Sequence, residues 1–297
     1  MDTDNANIES YTAAAQLRTA ISELFCAYPS ANIVLSPGIL VGLRILFAHL
    51  SVKHVALTTE EYYDPVHFPN MSVEAFALDT FYDHILQLKP DAVIASVVTW
   101  QGRILPVAKL FKQLRLEFGN KAPVWIADYS HAGAAGFPNI TSLSADIVCG
   151  DPAKWIIPPW DDSKLAFFWL RTGPILEDCK QAFRPFFLSI DDRSDQLLAR
   201  WVGSENIQTI LSFLTRQSLN RSMLRQRHED NMMLASTLAK DLGICAPVES
   251  SILWSEDGFD IDALPSWLKR RGLLWKPANQ GMRILCRSDL KAHGMTS

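Results

Sequence analysis

The 297-residue chain lacks most of the features that assign a protein at a glance. Its five cysteines, Cys26, Cys149, Cys179, Cys245 and Cys286, are odd in number and far apart. No C-x-x-C pair occurs, so neither a metal site nor a disulfide framework is indicated. No run approaches the roughly 18 apolar residues that a membrane-spanning helix needs. Cation excess is missing too: 28 Lys and Arg stand against 32 Asp and Glu, a net charge of -4, which gives nucleic acid no footprint. The one dense basic run, RSMLRQRHED, is interspersed with acids and reads as a solvated helix face. Neither G-x-G-x-x-G nor a P-loop is present, which argues against a nucleotide-binding α/β protein. The opening MDTDNANIES is acidic and polar, unlike a signal peptide. These absences lead to the expectation of a cytoplasmic protein with neither membrane nor nucleic acid as partner.

What is present is the patterning of a doubly wound α/β domain. An apolar content of 48% in a chain of this length supports one large core and a smaller appendage. Helical spacing covers residues 11–27, 39–50, 76–88 and 106–118. Short buried-strand runs fall at 32–35, 53–58, 92–98, 124–128, 146–149 and 165–170. Beyond Arg171 the character changes: a long helical stretch spans 207–242, and a strand-helix-strand unit at 251–254, 261–271 and 282–286 closes the chain. The expected division is a large α/β domain over residues 1–200 and a small C-terminal α+β domain over 201–297.

In open sheets of this kind a ligand lies beyond the carboxyl ends of the strands. Asp128, Lys154, the Ser36-Pro37-Gly38 turn, Glu61-Tyr62 and Thr99-Trp100 all fall at such ends. In VWIADYSHAGAAG a strand ends on Asp128 and His131 follows three residues later. A second strand then leads through Gly-Asp-Pro to Lys154, 26 residues beyond Asp128. Read singly, such an acid caps a helix and such a lysine lies on the surface. The ordered set matches the needs of an amine-linked pyridine cofactor, in which a lysine holds the cofactor and a carboxylate keeps the ring nitrogen protonated.

On these residues the chain resembles the class V aminotransferase group of fold type I pyridoxal phosphate enzymes, which includes cysteine desulfurases, kynureninases and isopenicillin N epimerase-like proteins. The resemblance runs from about Asn32 to Arg287 and is strongest between Val93 and Trp155. It implies a fold type I large domain with a mainly parallel sheet, pyridoxal 5′-phosphate as cofactor, and catalytic roles for Lys154, Asp128 and His131. It further implies that Tyr62 stacks on the cofactor ring and that Thr99 sits near its phenolic oxygen. Trp100 would line the substrate pocket, and Arg283, with Arg287 as a weaker candidate, would take the substrate carboxylate. Relatives hold the phosphate with a Gly-x-Thr; here SPGILVG puts Leu40 at the hydroxyl position and leaves Ser36 and the amides of Gly38 and Ile39. Asp151 and Ala153 stand where relatives carry Ser and His. Gly203-Ser204 resembles the Gly-Thr that relatives donate across a homodimer interface, which implies a shared active site.

The region RRGLLWKPANQG holds no cysteine, so thiol-mediated sulfur transfer is disfavoured. The expectation is a pyridoxal phosphate-dependent aminotransferase or lyase acting on a small amino acid or amino-bearing metabolite, by transamination or by β- or C–S elimination. Cα epimerisation begins with the same proton abstraction. The alternative, favoured by Leu40, Asp151 and Ala153, is a catalytically weak or non-enzymatic relative that keeps the fold for binding or dimerisation.

Overall fold

A computed structural model describes residues 3–132, 139–154, 165–183, 207–212, 221–244, 248–260, 262, 264, 266–269, 274–275 and 281–287. The N-terminal helix α1 (Thr3–Phe25) leads into strand β1 (Ile33–Ser36), and helix α2 (Ile39–His49) follows. Strands β2 (His54–Thr58) and β3 (Ser72–Phe76) precede helix α3 (Phe81–Leu88). Next come β4 (Ala92–Ser96), helix α4 (Val107–Phe118), β5 (Val124–Asp128), β6 (Ile147–Gly150), β7 (Ala166–Leu170) and helix α5 (Leu176–Phe183). Residues 207–212 are helical, and helix α6 (Arg221–Asp241) precedes β8 (Ile252–Ser255), β9 (Leu274–Trp275) and β10 (Met282–Leu285).

The first seven strands form one sheet in the order β1-β7-β6-β5-β4-β2-β3. Only β7 runs against the others, being antiparallel to both β6 and β1. All the remaining strands therefore end on the same edge. Strands β4, β6 and β7 are buried along their whole length, which explains why Ala92–Ser96 and Ile147–Gly150 read as continuous apolar runs without alternation. Acids fix the opposite edge. Asp91 accepts the backbone N–H groups of Lys53 and His54 at 2.8 and 2.9 Å, and Asp146 accepts that of Trp125 at 3.0 Å and Arg115 Nη2 at 2.5 Å.

Three strands, β8-β10-β9, make a second, antiparallel sheet with its own small core around Leu253, Leu268 and Ile284. Ile252 and Leu285 turn the other way and join the main core.

Two expected elements need correction. The helix expected over 76–88 begins at Phe81, because Ser72–Phe76 is an edge strand paired with β2. That strand is half-exposed and carries Glu74, so it lacks the apolar signature of its neighbours. The helix expected over 261–271 is, among the described residues, one 3-10 turn (Ser266–Lys269), and the two-residue strand β9 was not anticipated. The middle of the helix expected over 207–242 lies outside the described residues.

Helix α2 buries Gly42, Leu43, Leu46 and Phe47, one face of the helix, against the sheet. Gly42 permits this approach: a Cβ there would stand 2.3 Å from the ring of Phe168, itself fully buried and packed on Phe183 at 5.4 Å. Gly42→Ala is expected to lower unfolding stability by about 1–3 kcal/mol through overpacking, despite the better helix propensity of Ala. A denaturant titration checks this, and a gain in stability would mean the helix can withdraw freely.

Candidate functional site

The chemistry gathers at the common edge where β2, β4, β5 and β6 end. Asp128 is the last residue of β5, paired laterally with Ser96 of β4 and Cys149 of β6. Only 6% of its surface is exposed, and each oxygen has a fixed donor. Ser130 N–H donates to Oδ1 at 2.7 Å and the Tyr63 hydroxyl to Oδ2 at 2.5 Å. Burial, and after it the charge of Asp128, hold the Tyr63 phenol well above its usual range, so the proton stays on Tyr63.

Three residues behind Asp128 in sequence, His131 lies between two cations. Its Nε2 is 3.4 Å from Lys154 Nζ and 3.3 Å from Arg283 Nη1. Burial, and then the charges of Lys154 and Arg283, keep the imidazole neutral, well below its usual pKa. A neutral ring facing two donors presents the lone pair on Nε2, which assigns the proton to Nδ1.

Lys154 ends the 3-10 turn (Pro152–Lys154) that follows β6. Burial lowers its ammonium pKa, opposed by the charges of Asp151 and Asp128. Its Nζ lies 5.8 Å from the centre of the Tyr62 ring. Tyr62 stacks on His67 at 5.2 Å and tilts against Trp100 at 5.3 Å. Arg283 comes from β10 of the second sheet, and its guanidinium lies 3.7 Å over the Trp100 ring, a cation–π contact.

Arg283 is buried, its Nε has no hydrogen-bond partner, and among the described residues no carboxylate forms an ion pair with it. Burial brings its pKa down to about 9, which leaves it charged at neutral pH. A buried cation without an anion is costly, and this one is aimed at the lysine and histidine. The arrangement can receive an anionic group. Arg287 is also buried, beyond the end of the same strand.

The remaining expected residues stand apart from this cluster. The Thr99 hydroxyl donates to Glu60 at 3.2 Å and accepts Arg103 N–H at 3.1 Å, so it is committed to its own turn. The Ser36 hydroxyl donates to the Gly38 carbonyl at 3.0 Å. Gly38, with φ +148° in the region that favours glycine, precedes α2 and supplies no side-chain cap. The first amides of α2, from Ile39 onward, therefore lack intrahelical acceptors at that end. Gly203 and Ser204 lie outside the described residues, as does most of the cysteine-free region 270–281.

Sequence reasoning missed Tyr63, and noted Glu61 for its place at a strand end without giving it a role. Glu61 is buried, and accepts Ser96 N–H at 2.7 Å on Oε1 and the Ser96 hydroxyl on Oε2. Burial pushes its carboxyl up to about 8, against the two Ser96 donors and with Asp128 and Glu60 adding repulsion. Because the folded pKa lies above the unfolded one, the folded protein holds an extra proton between pH 4.5 and 8. Stability from this group is complete below about pH 4.5 and is lost as pH rises through about 8. Glu61→Gln removes that loss. Unfolding titrations across pH 5 to 9 should show the variant gaining on wild type up to about pH 8 and then levelling; a pH-independent difference would place the Glu61 proton elsewhere.

No protein-family model matches the chain, and no curated protein does. Solved structures do. A cystine C–S lyase, solved with its product cysteine persulfide, superposes with a TM-score of 0.69 at 15% identity, covering 99% of this chain and 87% of the lyase. The cysteine desulfurase CsdA of Escherichia coli gives 0.64 at 13% identity, with 99% and 85% covered. Serine palmitoyltransferase of S. paucimobilis, holding a pyridoxal phosphate–myriocin adduct, gives 0.59 at 15% identity, with 95% and 75% covered. Identities this low speak for architecture alone: the chain has the fold type I architecture of these pyridoxal phosphate enzymes.

Proposed function

We propose that the protein binds pyridoxal 5′-phosphate and uses it on a small amino acid or amino-bearing metabolite, by transamination or by β- or C–S elimination. The observation that carries this reading is the convergence at a single strand-end edge of one amine, one carboxylate and one guanidinium that forms no ion pair among the described residues. The donor set fits the cofactor. Lys154, its ammonium pKa lowered by burial, offers a larger share of free amine for attack on an aldehyde. Asp128 has one donor on each oxygen and keeps lone pairs for a ring nitrogen. Arg283 has one arm on His131 and its Nε without a partner, which leaves a donor for a carboxylate.

When bound, pyridoxal phosphate supplies an electron sink for breaking bonds at a substrate Cα. The chain's residues do the rest. Arg283, held flat by Trp100, fixes the substrate carboxylate and with it the substrate's orientation. Lys154 Nζ takes the Cα proton, and neutral His131 accepts a hydrogen bond from that amine and aims it. Tyr62 offers an aromatic face beside Lys154. At the phosphate end the amides of Gly38 and Ile39 at the start of α2 supply donors, completed by Ser204 of a second copy in a homodimer. On this reading residues 1–200 carry the cofactor and the 201–297 unit delivers the carboxylate anchor.

A second reading, a relative that binds the cofactor with little or no turnover, draws on one observation. The Ser36 hydroxyl is spent on the Gly38 carbonyl, and Leu40 offers no hydroxyl in its place.

Borohydride treatment of the cofactor-loaded protein, followed by peptide mass mapping, should find the cofactor mass on Lys154 and none in Lys154→Ala; label spread over surface lysines would remove the proposal. Incubation with pooled amino acids separates the reactions by product mass: transamination leaves a keto acid with its side chain intact, whereas elimination releases the β-substituent together with ammonia and the keto acid that lacks it; no product from any would favour the second reading. Arg283→Leu should raise KM about tenfold or more with a smaller change in kcat, because the lost contact serves binding. An unchanged KM would take the anchor role from Arg283.

A further inference from the structure

Tyr63 is not a neighbour in sequence of the residue it serves: 65 positions separate it from Asp128, and the sheet brings them together. It is 3% exposed, with its ring edge-on to Tyr62 at 5.8 Å and tilted on Phe68 at 6.0 Å, so the hydroxyl has little freedom. With Ser130 N–H fixed on the other oxygen, the plane of the Asp128 carboxylate is set by two donors on two different chain segments. The groups facing Asp128 are Tyr63 and Glu61 from the segment after β2, Cys149 from β6, and Lys154. Among these, Lys154 is the one group whose protonated form is cationic, and its electrostatic pull is the one a loosened carboxylate would follow.

Resting on the cofactor reading above, we propose that Tyr63 is a positioning residue that holds Asp128 in the orientation needed to grip the cofactor's ring nitrogen. Its phenolic proton occupies one lone pair of Oδ2 and keeps the carboxylate from swinging toward Lys154. The lone pairs left over then point in a fixed direction, and the hydrogen bond to a ring N–H forms without reorganisation. Tyr63 touches neither substrate nor cofactor in this role. Packing alone predicts something different: a buried ring that contributes to stability and treats every ligand alike.

The test measures two ligands on one protein. Full-length apoprotein, wild type and Tyr63→Phe, is titrated by equilibrium dialysis with pyridoxal phosphate and with its 1-deaza analogue. The analogue keeps the aldehyde, the hydroxyl and the phosphate but has carbon in place of the ring nitrogen. Tyr63→Phe is expected to weaken pyridoxal phosphate about tenfold and to leave the analogue within about twofold. A general loosening of the variant cancels in the ratio of the two constants, so partial destabilisation does not blur the result. Equal weakening of both ligands, no change in either, or tighter binding of pyridoxal phosphate would overturn the inference. Wild-type protein that takes up neither ligand would overturn the cofactor reading itself, and this inference with it.

Discussion

A carboxylate buried under the edge of a sheet needs donors close by, and the requirement falls here on Asp128, at the end of the middle strand of three that finish together. Its lateral partners, Ser96 and Cys149, give it no charge to lean on. Tyr63 and Ser130 supply the hydrogen bonds, and Glu61, which also faces Asp128, keeps its own proton up to about pH 8. Asp128 is thereby a carboxylate whose orientation two donors fix. Lys154 and Arg283 then supply positive charge from the far side, with His131 as a neutral spacer between them.

The two edges of the main sheet are built for different purposes. At the amino ends, Asp91 and Asp146 satisfy backbone N–H groups of the neighbouring strands and lock their register. At the carboxyl ends, polar side chains contact one another and are only partly satisfied. Buried Arg283, whose Nε lacks a hydrogen-bond partner and which forms no ion pair among the described residues, is the clearest case. Its desolvation weighs against stability and is partly offset by the Trp100 face. An uncompensated term of this kind is expected where a ligand completes the structure.

Much of this was legible in the sequence. The runs AVIAS and VWIAD are buried on both faces, so they announce central parallel strands, and Asp128, His131 and Lys154 come close together because short turns lead to them from the ends of β5 and β6. Elements whose formation depends on a neighbour were not legible. Strand β3 is an edge strand that exists through its pairing with β2, and β9 is two residues held by β10. Side-chain commitments were hidden for the same reason. Thr99 and Tyr62 look alike as strand-end polar residues, but a tight turn gives Thr99 to Glu60, and the step from Tyr62 to Tyr63 turns the second ring inward. The roles of Tyr63 and Glu61 come from contacts spanning 65 and 35 positions, which no local pattern carries.

The central claim is that one strand-end edge holds an amine and a carboxylate placed for opposite ends of a single pyridine cofactor. A crystal structure of the protein grown with pyridoxal phosphate measures this most directly. The account predicts electron density joining Lys154 Nζ to the cofactor's aldehyde carbon, with an Asp128 oxygen within hydrogen-bond distance of the ring nitrogen and Tyr63 still on the other oxygen. A cofactor bound away from Lys154, or a ring nitrogen that faces something other than Asp128, would contradict it.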